Sequence, residues 1–65
     1  MNDFYDRLKK EQVELNDKIE KLRAFIWDGS PVYEKLPQVD QHLLANQLHT
    51  MRQYSEILQE RLDRV

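Results

Sequence analysis

The side chains of this sequence best equipped for chemistry are Gln47, Tyr54 and Arg61, spaced seven residues apart in its C-terminal half. A seven-residue step on a helix returns close to the same face, so the three form one row. Tyr54 offers a flat ring on which a nucleobase can stack. Gln47 offers a paired donor and acceptor, and Arg61 a fork shaped for phosphate. Together they describe a nucleotide-sized site. The same row has a second reading, because polar residues at a helical seam also set register and oligomeric state at some cost in stability. Gln12 and Ser55 raise the same question, since each stands where its apolar stripe expects a hydrophobic side chain.

The N-terminal half holds groups that match the row. Phe4 and Tyr5 sit near its start, Arg7 lies one turn from Phe4, and Lys18 falls toward the inter-helix region. An aromatic ring beside a cation is the minimum for holding an adenine and its phosphate. Tyr5 and Tyr54 are therefore candidate stacking residues, Arg7, Lys18 and Arg61 candidate phosphate ligands, and Gln47 a candidate for a base or ribose edge. Buried tyrosine hydroxyls would each need a polar partner. Phe25, Trp27 and Tyr33 gather at the opposite end, where Phe25 is expected to pack under a turn.

Catalysis finds little support in these residue types. His42 and His49 are seven residues apart, whereas two imidazoles share a metal at a helical step of three or four. The 12 acidic residues include no Glu-x-x-His pair of the di-iron bundle type. With no cysteine there is no thiolate or disulfide, and a single glycine cannot build a phosphate loop. The expectation is a non-enzymatic protein with no catalytic residue, metal or cofactor.

Two apolar stripes must position these groups. Leu8, Leu15 and Leu22 recur every seven residues with Ile19 and Ile26 beside them. Leu44, Met51, Leu58 and Val65 repeat the step with Leu48 and Leu62. Asn2 or Asp3 can cap the first helix, and Gly29 followed by Pro31 can end it. Ser30-Pro31 reads as an N-cap with proline at the first helical position, and Leu36-Pro37 repeats the punctuation. The predicted elements are a helix over 3–28, a turn over 29–36 containing a short helical turn, and a helix over 37–63. Asp3–Arg7, Asp6–Lys10, Glu14–Lys18 and Asp17–Lys21 are spaced for ion pairs one turn apart.

The fold class that follows is all-α: one antiparallel helical hairpin over 1–65. Matched levels would bring Leu22 near Leu44, Leu15 near Met51, Gln12 near Tyr54 and Ser55, and Phe4 and Leu8 near Leu58 and Leu62. Two helices supply one seam of contact, so assembly into a homo-oligomeric helix bundle, from dimer to hexamer, is expected. A net charge of -2 argues against a duplex nucleic acid as partner. The absence of a long apolar run or a signal segment argues for a cytoplasmic protein with no membrane partner.

The run Leu15-Asn16-Asp17-Lys18-Ile19-Glu20-Lys21-Leu22-Arg23-Ala24-Phe25-Ile26, followed by Leu43-Leu44, Gln47, Met51, Tyr54, Ile57-Leu58 and Arg61, resembles a family of short phage-encoded helical hairpins. That family is distantly similar to the hairpin domain of anti-CBASS and anti-Thoeris sponges. The resemblance implies an oligomer that holds cyclic oligonucleotides or cyclic ADP-ribose derivatives between protomers and keeps them from host effectors. Sponge domains carry a Tyr-Arg pair and a Lys fifteen residues after the Tyr, whereas here Tyr5 precedes Asp6 and position 20 is Glu20. Lys18 or Lys21 would have to serve from a neighbouring turn. The expected function is an anti-defence sponge in the infected cell that sequesters a small nucleotide signal without cleaving it. The alternative is a protein–protein interaction or oligomerisation module with no small ligand.

Overall fold

The computed structural model describes residues 3–65 and consists of three helices: α1 (Asp3–Trp27), α2 (Pro31–Lys35) and α3 (Gln38–Asp63). The long helices α1 and α3 lie antiparallel and in contact, giving a rod 48 Å long. Asn2, one of the two candidate caps, lies outside the described residues.

The seam obeys the stripe read from the sequence. Along the seam the protected positions are Leu8, Gln12, Leu15, Ile19, Leu22 and Ile26 on α1 and Leu44, Leu48, Met51, Ser55, Leu58 and Leu62 on α3, whereas Val65, the last residue of the predicted second stripe, is exposed. Both sets alternate steps of four and three, the spacing that keeps one helix face toward an antiparallel neighbour. Leu8, Leu58 and Leu62 form the tightest apolar cluster, with Leu15 packed against it and Leu58 wholly buried.

Polar partners along the seam differ in detail from the expected levels. Gln12 was expected opposite Tyr54 and Ser55. Its amide instead donates to Gln59 Oε1 at 2.7 Å, one turn further toward the C-terminus than Ser55. Ser55 donates to Asn16 Oδ1 at 2.6 Å. The reason is geometric: Tyr54 sits one residue off the seam, on the flank of α3, and reaches the flank of α1. With Gln12 almost fully buried, the Gln59 oxygen satisfies an amide that would otherwise cost about 1–3 kcal/mol to desolvate.

Surface ion pairs follow the sequence only in part. Asp17–Lys21 forms at 3.0 Å, but Lys10 turns to Glu14 at 4.0 Å rather than back to Asp6. Arg23 bridges Glu20 at 3.1 Å and approaches Asp28 at 4.0 Å. All are exposed pairs of small energetic weight.

The tip is tightly specified. Gly29 takes a φ of 77°, the left-handed conformation that ends α1. Ser30 Oγ accepts from the Tyr33 amide at 3.4 Å and Pro31 occupies the first turn of α2, as the Ser-Pro signature predicts. Pro37 takes the cap position of α3 rather than a place within its first turn. Gln41 then closes the tip: its side-chain amide donates to the carbonyls of Tyr33 at 3.0 Å and Leu36 at 3.1 Å. The Tyr33 hydroxyl returns a bond to the Gln41 carbonyl at 3.4 Å. Phe25 packs edge-on to Tyr33, with ring centroids 5.7 Å apart, while Trp27 is exposed.

Candidate ring- and anion-binding groove

The row Gln47, Tyr54 and Arg61 runs down one flank of α3, exposed and one residue out of register with the buried seam. Facing it across the flank of α1 is a second seven-residue row, Phe4, Glu11 and Lys18. The Arg61 guanidinium lies 5.8 Å from the centroid of the Phe4 ring, within cation–π range. Two turns on, the Tyr54 hydroxyl donates to Glu11 Oε1. One further step of seven along each helix places Lys18 at the level of Gln47. The rungs are therefore spaced roughly 10 Å apart at 1.5 Å rise per residue.

An open groove of ≈ 250 Å³ lies at the Phe4 end, lined by Phe4, Arg7, Leu8, Glu11 and Arg61. Two guanidinium groups flank an exposed aromatic ring there, over a floor provided by Leu8. Arg7 makes no ion pair among the described residues, and Arg61 contacts a neutral ring, so both retain their planar donors for an incoming anion. Glu11 is the counterweight. Its carboxylate accepts from Tyr54, and that hydrogen bond, ahead of partial desolvation and the negative charge itself, raises the Tyr54 pKa above the ordinary value of 10.0, with Arg61 pulling the other way. Tyr54 is thus held as a neutral phenol.

The structure brings some of the six candidates together and separates others. Arg7 and Arg61 share the groove, and Tyr54 borders it through Glu11. Lys18 and Gln47 belong to the same flank but lie about two to four turns away. The Gln47 amide turns toward Met51 Sδ at 3.9 Å. Tyr5 falls on the column of Gln12, Ile19 and Ile26 rather than on the groove flank, and is 41 % exposed. The sequence places Phe4 beside Leu58 and Leu62 and pairs its ring with the Arg7 cation, but does not single it out as a stacking residue alongside Tyr5 and Tyr54. Nothing in it marks Glu11, one carboxylate among twelve acidic residues.

A sequence model of the Sequestin family matches residues 2–64, and the chain belongs to that family. The family name points to sequestration, a holding role consistent with such a groove. No curated protein and no solved structure matches the chain.

Proposed function

We propose that the protein is a phage anti-defence sponge that sequesters a nucleotide-derived immune signal, of the cyclic oligonucleotide or cyclic ADP-ribose type, without cleaving it. The observation that carries this reading is the pairing of Arg7 and Arg61 around the exposed Phe4 ring, because a nucleotide presents a flat base and an anionic phosphate in close succession. Phosphate takes the two guanidinium forks, and the base stacks on Phe4 or Tyr54. Lys18 and Gln47 lie further along the flank, where the second base or ribose of an extended ligand would reach.

Non-cleaving binding suits the chemistry of the lining. Glu11 is the one carboxylate lining the groove among the described residues, and its oxygen is engaged by Tyr54. Among the described residues, no serine, threonine or histidine lines the groove to act as nucleophile or base. Membership in the Sequestin family supports the same reading.

The test is release of intact ligand. The purified protein is mixed with cyclic di- and trinucleotides and cyclic ADP-ribose isomers, freed of unbound ligand and heat-denatured, and the supernatant is assayed. Recovery of an unaltered nucleotide is the expected result. Calorimetry showing no binding heat from any member of the panel would overturn the proposal and leave the docking module as the better account.

A further inference from the structure

Two side chains that the nucleotide reading leaves unused meet toward the other end of the rod. Trp27 closes α1 with its indole 67 % exposed, and His49 stands across from it on α3. Together with Ile26, Ala45, Leu48 and Arg52 they line a second cavity of ≈ 130 Å³. It is separate from the groove. On α3, Ala45, His49 and Arg52 each follow a seam position by one residue, whereas Gln47, Tyr54 and Arg61 each precede one, so cavity and groove open on opposite sides of the seam. Ile26 in the cavity wall also stands about 27 Å along α1 from Leu8 beneath the groove, at 1.5 Å per residue. One small ligand cannot occupy both.

We propose that this cavity is a second binding site, for a small molecule made of one aromatic ring with an anionic group at its edge. Size sets the ring. An apolar cavity of about 150 Å³ accommodates benzene, and this one is of that order. Its base is apolar, with Leu48 buried and Ile26 half-buried, and the Trp27 indole offers a face for stacking.

The anion follows from which charges are spent. On the same side of the seam Arg23 is taken up by Glu20 at 3.1 Å and Asp28 at 4.0 Å. Arg52 makes no ion pair among the described residues, and no side-chain hydrogen bond engages Arg52, His49 or Trp27 there. Its guanidinium fork is therefore open to a carboxylate or a phosphate, and the His49 imidazole adds an N–H. The groove sets Glu11 beside its arginines, whereas among the described residues no carboxylate lines this cavity, so an entering anion meets no fixed negative charge. The site does not depend on the nucleotide reading of the groove.

Trp27 is the one tryptophan of the chain, so its fluorescence reports this cavity and not the groove. Phenyl phosphate and benzoate are the probes, and the tighter of the two identifies the anion preferred. Each should change the Trp27 emission saturably at up to millimolar concentration. Inorganic phosphate and benzyl alcohol, which carry the charge or the ring alone, should bind at least tenfold more weakly. Arg52→Ala should weaken both probes at least tenfold with helicity by circular dichroism unchanged, the scale of one lost charge-assisted fork, while Arg61→Ala leaves them as in the parent. No saturable change with either probe, unaltered affinity in Arg52→Ala, inorganic phosphate binding as tightly as phenyl phosphate, or an equal loss in Arg61→Ala would each overturn the proposal.

Discussion

The two ends of the rod spend their polar groups in opposite ways. At the tip, the Gln41 amide is committed to three turn carbonyls, those of Tyr33, Leu36 and, more loosely, Glu34, at 3.0, 3.1 and 3.4 Å, and the Tyr33 hydroxyl is turned back onto Gln41. At the open end, the guanidinium groups of Arg7 and Arg61 face an open groove and a neutral ring. Beneath that groove sits the tightest apolar cluster of the molecule, Leu8, Leu58 and Leu62. The contrast separates architecture from function. Hydrogen bonds closed within the chain hold a turn in place, whereas donors left facing solvent on a rigid apolar base are available to a ligand.

The sharpest way to break this comparison is to hollow out the base. Leu58→Ala removes the one wholly buried side chain of the cluster and is expected to cost about 2–5 kcal/mol in chemical denaturation. Losing the clamp at the tip comes next. Gln41→Ala should destabilise the hairpin by roughly 0.5–1.5 kcal/mol, because the Leu36 carbonyl loses its side-chain donor while the Tyr33 carbonyl keeps the Leu36 amide. A larger loss from Gln41→Ala than from Leu58→Ala would mean that the tip, and not the open end, anchors the fold.

Arg61→Ala sharpens the contrast from the other side. Its contacts are a ring and solvent, so stability should change by no more than about 0.5 kcal/mol. Nucleotide binding measured by calorimetry should fall at least tenfold, the ~1.4 kcal/mol scale of one lost charge-assisted fork. An unfolded or strongly destabilised Arg61→Ala would show that the groove is structural after all.

The smallest effect concerns Tyr54. Its phenol titrates above 10.0 because the Glu11 carboxylate accepts its proton in a hydrogen bond. A folded-state pKa raised above the unfolded value means that the pair stabilises the hairpin fully below about pH 10, and that this contribution is lost as pH climbs through the folded value. Glu11→Gln should lower the Tyr54 transition in a tyrosinate absorbance titration, with Tyr54→Phe identifying which of the three tyrosines is being read. An unchanged titration would show that the Glu11 bond does not govern Tyr54.

Much of the hairpin was legible in the order of residues. The period of the stripes, the Gly29 stop, the Ser30-Pro31 start and the flank shared by Gln47, Tyr54 and Arg61 are local consequences of 3.6 residues per turn and of backbone preferences, so they need no knowledge of the other helix. Tertiary structure decided which residues meet across the seam. A seven-residue repeat looks the same after a shift along its length, so periodicity alone could not tell that Gln12 finds Gln59, that Tyr54 finds Glu11, or that Arg61 rests over Phe4. Nor could it distinguish Gln41, a glutamine in a first helical turn like any surface residue, from the clamp that closes the tip. Those partners are chosen by where the folded turn delivers α3 against α1, and with them the groove in which Arg7 and Arg61 converge.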